Sequence, residues 1–133
     1  MKALIILDAS TNQARVERVP DKMDVLQACY KYIGCDTVQL FPVVKDRLPE
    51  GYVALCDEDV HGKYALFNPM ASWLYGADDH GQYVTRNAVI LKEIPEDFDF
   101  MTEEEAQTIS ADLNARAWEI FDLTMFRVLE CQQ

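Results

Sequence analysis

The chain has 133 residues, an apolar share of 50% and a charged share of 26%, the size and composition of one globular domain that needs neither a metal nor a disulfide to hold it together. With a net charge of −11 and a pI near 4.4 it lacks the Lys/Arg clusters that a phosphate backbone attracts, so direct binding of nucleic acid is the function its charge disfavours most. The longest apolar run, Ala3 to Leu7, is far too short to span a bilayer, and the N-terminus lacks the length and cleavage site of a signal peptide, so a cytoplasmic protein with no membrane contact is expected.

In chain order, residues 1–8 and 13–19 read as a β-hairpin around a polar turn at Ser10-Thr11-Asn12, with Ala14 and Val16 alternating with charged residues. Pro20-Asp21 opens a helix capped by Asp21, in which Met23, Leu26, Tyr30 and Ile33 recur at helical spacing until Gly34. Val38 to Val43 make a third strand, limited by Pro42 to an edge or a strand end. Lys45 to Gly51 is a loop, and Tyr52 to Cys56 with Lys63 to Phe67 read as a second hairpin whose turn contains Gly62.

Asn68 is placed to cap a short helix with Pro69 at its first position and Gly76 at its stop. After a loop over Ala77 to Gly81, a long strand is expected from Gln82 to Ile94, broken by Pro95. Thr102 and Glu105 form a Thr-x-x-Glu capping box for a C-terminal helix of about residues 103–130, with Ala106, Ile109, Leu113, Ala117, Ile120, Phe121, Thr124 and Val128 on one stripe. Together these elements make a single α+β domain over 1–133: a mainly antiparallel sheet of about five strands, a short N-terminal helix and a long C-terminal one.

The order of landmarks is also informative. The opening Met-Lys-Ala-Leu-Ile-Ile, the turn Asp57-Glu58-Asp59-Val60-His61-Gly62-Lys63, the Asn-Pro-x-Ala-x-x-Leu-Tyr-Gly helix at Asn68 to Gly76, the Asn87-Ala88-Val89-Ile90 strand end and the Thr-x-Glu-Glu helix start together resemble an uncharacterised family of small proteins from phages, plasmids and other bacterial mobile elements. The resemblance covers roughly residues 1–110, the end of the C-terminal helix being an extension. It brings no activity or cofactor. It implies an accessory protein of a mobile element, counter-defence among the roles open to it.

Candidate chemistry is sparse. Asp57, Asp59 and His61 share one face of an extended strand and are weak candidates for a divalent metal, though a turn there favours Asp on its own account. Asp78-Asp79-His80 puts a potential base beside carboxylates, with no nucleophile in view. No phosphate-cradling Gly loop, hydrolase elbow or metalloprotease helix motif is present, so no catalytic residue is assigned. Cys29, Cys35, Cys56 and Cys131 lack Cys-x-x-Cys spacing and read as small buried hydrophobes.

Three surfaces remain. Residues 51–133 carry 16 acidic against 5 basic residues, and the run Glu93, Glu96, Asp97, Phe98, Asp99, Phe100 mixes acids with aromatic rings, as suits a surface meeting a basic protein of the host or the element. Trp73, Tyr75, Tyr83, Thr85, Arg86 and Asn87 combine ring faces with hydrogen-bonding groups and form a candidate wall for a small nucleotide-like ligand. Trp118, Phe121, Met125, Phe126 and Leu129 cover more of the last helix than one core contact hides, which predicts a homo-oligomer. A non-enzymatic protein binder is the leading expectation, a ligand-sequestering protein the alternative, and a metal-assisted enzyme the third.

Overall fold

A computed structural model describes residues 2–58 and 66–131. Its antiparallel sheet runs in the order β2 (Gln13–Arg18), β1 (Lys2–Asp8), β5 (Ala88–Ile94), β4 (Tyr52–Asp57), β3 (Val38–Phe41). Two short strands complete it: β6 (Asp97–Asp99) pairs with the end of β5, and β7 (Met101–Thr102) pairs with the start of β1. The main path thus holds five of the six strand runs read from the sequence, all but Lys63 to Phe67, in a sheet of seven strands among the described residues. The first hairpin forms as read, with Leu7 opposite Ala14 and Asp8 opposite Gln13, its turn held by the Ser10 N–H and hydroxyl, which both donate to Asp8.

Both faces of the sheet are covered, and this explains the unbroken apolar run in β1. Ala3, Ile5 and Leu7 point to one face with Ala54, Cys56, Ala88 and Ile90, while Leu4 and Ile6 point to the other with Leu55, Val89 and Leu91. The first face is packed by α2 (Pro69–Tyr75), α4 (Glu103–Ala115) and α5 (Ala117–Cys131) through Met70, Leu74, Ile109, Leu113 and Ile120. The second is covered by α1 (Val25–Cys29) and the wide helical turn Tyr30–Gly34, through Ala28, Cys29 and Ile33. No helix among the described residues is long and apolar enough to cross a membrane.

Several elements depart from expectation. The N-terminal helix is capped by Asp24, because Gln27 three residues on completes a capping box that Asp21 lacks: the Gln27 N–H donates to Asp24 at 2.8 Å and the Asp24 N–H returns to Gln27 at 3.2 Å. Strand β4 finds its neighbours in β3 and β5. Of its expected hairpin partner, residues 63–65 lie outside the described residues, and Phe67 is bridged to Thr85. Gly76 ends α2 in the left-handed region as expected, but Ala77–His80 (α3) is a helical turn where a loop was read.

The long strand Gln82 to Ile94 begins only at Ala88. Before it, side chains and loops take the bonds a ladder would supply: the Val84 N–H donates to the Ser72 hydroxyl, which donates back to the Val84 carbonyl, while the Asn68 N–H also reaches Val84 and the Arg86 N–H reaches Leu66. Between Pro95 and the C-terminal helix, where no element is expected, the chain makes β6 and β7. The C-terminal helix is two helices, broken at Arg116 (φ −109°, ψ 11°). Helix α4 lies along the outer side of β2, hooked at one end by Arg18 to Glu103 at 2.8 Å and at the other by Asn114, whose amide accepts from the Ala14 N–H and donates to the Ala14 carbonyl.

Candidate functional site

The structure divides the six residues of the candidate ligand wall. Trp73 is buried core with Arg47 and Arg116 over its ring. Thr85 is buried beside the Phe67 bridge, and Asn87 accepts the Ala9 N–H at 2.9 Å and steadies the first hairpin. Arg86 sits in the left-handed region (φ 65°) with its guanidinium 2.7 Å from Asp57, a carboxylate buried at the end of β4. These four residues build the fold.

Tyr75 and Tyr83 do line a cleft, with Gln39 and Phe41 of β3, Cys56 of β4, and Gly81, Gln82 and Val84; its volume is about 370 Å³. Phe41 and Tyr75 meet edge to face at 6.0 Å, and Tyr83 meets Phe67 in the same way at 5.7 Å, so both tyrosines are braced. The Tyr75 hydroxyl donates to the Gln82 side chain at 3.3 Å. Gln39 and Phe41 were missed because their role arises only when β3 lands beside the α2–β5 connection. The available signal was their i, i+2 spacing, which puts both on one face of a strand.

His80 is a staple. Its Nδ1 accepts the Gln82 N–H at 3.0 Å, which leaves the hydrogen on Nε2 to donate to the Tyr75 carbonyl at 3.0 Å, and its ring packs against Tyr75. Asp78 is held below its ordinary carboxylate range by the Arg47 guanidinium, which donates twice to it at 2.6 and 2.8 Å. Asp59 and His61 of the candidate metal set lie outside the described residues, while Asp57 faces Arg86. Among the described residues no three His, Cys, Asp or Glu side chains come together as a metal site.

The acidic run separates into two kinds of residue. Glu93, Glu96 and Asp97 are exposed and form no ion pair among the described residues; Asp99 is half-buried. The rings turn inward: Phe100 is buried in the second core and Phe98 packs against it, because alternation along the chain sends both to the face that α1 covers. Phe98 and Phe100 therefore leave the candidate partner surface, whose exposed part is carboxylate alone.

Helix α5 keeps its apolar flank in solvent. Trp118 is 80% exposed and Phe126 74%, with Leu129 and Leu123 also exposed and Phe121 and Met125 half-buried. Trp118 meets Phe121 edge to face at 6.4 Å. The acidic hairpin and this flank lie at opposite ends of β1: Lys2 pairs with Thr102 beside the hairpin, while beyond Asp8 the Asn12 amide donates to the Ala117 carbonyl at the start of α5. Seven strand residues separate them, roughly 20 Å.

The cysteines also divide. Cys29 and Cys56 are buried, and burial pushes each thiol up to about 11. Cys35 is half-buried, and Cys131, expected in the core, is exposed at the end of α5. Comparison of the chain with known protein families, with curated proteins and with solved structures found no match.

Proposed function

We propose that this chain is a non-enzymatic protein-binding module in which the apolar flank of α5 supplies the anchors and the exposed carboxylates of the β5–β6 hairpin supply the field that draws a basic partner. The observation that carries this reading is the exposure of Trp118 and Phe126 on one helix of a domain whose sheet is covered on both faces. Large rings in solvent are what interface hot spots are made of. Glu93, Glu96 and Asp97, some 20 Å away, act through the field, which speeds encounter and falls with salt. Among the described residues, the candidate groups for a reaction are committed, both ring nitrogens of His80, Asp57 to Arg86 and Asp78 to Arg47, which favours binding over catalysis. A setting as an accessory protein in a bacterial cytoplasm, encoded by a mobile element, is supported by the motif resemblance.

Affinity capture from a bacterial lysate, comparing the wild-type chain with Trp118→Ser/Phe126→Ser and with Glu93→Gln/Glu96→Gln/Asp97→Asn, tests this. The apolar variant should lose its partner at every salt concentration by at least about tenfold, and the charge variant should lose it mainly at low salt. If the folded apolar variant retains the same proteins as the wild type, the reading fails.

A further inference from the structure

We infer that the cleft between β3 and the α2–β5 connection is a binding site for an uncharged, planar heteroaromatic molecule. Its volume, about 370 Å³, lies within the range of about 300–1,000 Å³ found for small-molecule sites. The walls are aromatic and already braced: Tyr75 by Phe41 and by the His80 ring 5.0 Å away, Tyr83 by Phe67. A flat ring entering between such walls meets surfaces that need no ordering, which removes a large part of the usual cost of binding.

The polar groups at the rim select the edge of that ring. Gln82 receives the Tyr75 hydroxyl on its carbonyl oxygen and so keeps its amide hydrogens for a ligand acceptor. The Gln39 amide, exposed on β3, has no partner among the described residues and offers both a donor and an acceptor. Two amides of this kind suit a ring with alternating nitrogen acceptors and amino donors.

The charge of the site argues for neutrality. None of the described lining residues carries a formal charge at neutral pH. Arg86, the nearest cation in sequence, is outside the lining and is occupied by Asp57. The floor includes the Cys56 thiol, which burial keeps protonated at neutral pH, so it adds soft apolar surface and no nucleophile. A phosphate would enter a protein of net charge −11 with no cation among the described lining residues to meet it, so a nucleobase or nucleoside fits where a nucleotide does not.

Adenine, adenosine and AMP serve as probes, titrated into the full chain at low salt and followed by amide and aromatic NMR shifts. Adenine or adenosine should bind saturably at millimolar concentration or below, moving Tyr75, Gln82 and Tyr83, with AMP weaker by about tenfold or more. Gln82→Trp, at an exposed position, should fill the entrance and abolish the shifts, and Tyr83→Ala should weaken binding about tenfold. The assignment is overturned if neither uncharged probe saturates, if AMP binds more tightly than adenosine, or if Gln82→Trp binds as the wild type does. Because α5 is untouched by these variants, failure here is distinguishable from failure of the protein-binding reading.

Discussion

Arg47 and Arg116 lie over the same indole, their guanidinium carbons 4.7 and 4.8 Å from the centre of the Trp73 ring. One comes from the loop after β3 and the other from the break between α4 and α5, so a single buried ring joins three parts of the chain. The two arginines are not equivalent, because Arg47 also donates to the Trp73 carbonyl and makes a two-pronged bond to Asp78.

Arg47→Ala should therefore cost more than Arg116→Ala: about 2–3 kcal/mol, from lost charge-assisted bonds and the ring contact, against about 0.5–1 kcal/mol for the ring contact alone. Arg47→Lys should recover little, since an ammonium cannot reproduce the planar fork. Urea midpoints at neutral pH check this, and equal losses for the two alanine variants would contradict it.

Tyr52 and Glu105 give the fold two pH windows. The Tyr52 hydroxyl donates to Glu105, whose carboxylate also accepts from the Thr102 N–H at 3.1 Å and from Lys92 at 3.2 Å. The Tyr52 bond first and the Thr102 N–H second take Glu105 from 4.5 down to about 2; the same bond, with burial second, takes Tyr52 from 10 up to about 12. A depressed acid contributes stability that is complete above its unfolded value, so the Glu105 share is lost as pH falls from 4.5 toward 2. The Tyr52 share is complete below pH 10 and is lost as pH rises toward 12. Tyr52→Phe should lower stability at pH 7 by about 1–2 kcal/mol, remove its own alkaline limb and make the acid limb shallower, as a series of denaturant titrations across pH would record.

Asn68 uses every arm of its amide. Its carbonyl oxygen accepts the Ala71 N–H at the start of α2, and its amide nitrogen donates to the Leu7 and Arg86 carbonyls at 3.0 and 2.8 Å. Asn68→Ala should cost about 2–4 kcal/mol, the cap plus two stranded carbonyls. Asn68→Asp keeps the cap but turns a carboxylate oxygen toward both carbonyls, so it should melt no higher than the alanine variant. A melting temperature for Asn68→Asp near wild type would show that the two carbonyl bonds contribute little.

Gly81 is required twice over, by its positive φ of 80° and by the Cys131 side chain, whose Cβ would stand 2.8 Å from an added methyl group and whose sulfur would stand closer still. Gly81→Ala should destabilise by about 1–2 kcal/mol from the backbone alone, with a further loss from the clash. Placing it in a Cys131→Ala background should relieve part of the second loss and none of the first, a difference that thermal melts of the single and double variants resolve.

The parts of the fold legible in the sequence were those whose cause is local. Thr102 with Glu105, Asn68 with Pro69 and Gly76, and the Asp8 to Gln13 turn each carry their partner within a few residues, and each forms as expected. The losses were tertiary. Gln82 to Asn87 alternates like a strand, yet Ser72 and Asn68 take its backbone bonds. No Gly or Pro marks the break at Arg116. At the candidate site Tyr75 and Tyr83 were visible as aromatic residues near polar ones, whereas Phe98 and Phe100 had the same look and went to the core, since a ring's neighbours in sequence do not say which face of a strand it takes.

The hold of Asn114 on Ala14 has a consequence for how copies of this protein can meet. A sheet with two free edges can recruit strands at both sides and grow without limit, as fibrils do. Here α4, hooked at Arg18 and Ala14, runs along the β2 edge, whereas β3 has no strand beyond it among the described residues. Strand-to-strand joining at β2 is thereby opposed at Ala14, whose N–H and carbonyl Asn114 already takes. A strand arriving at the β2 edge would first have to displace Asn114 from Ala14, so Asn114→Ala is the change that frees this stretch of the edge for pairing between copies.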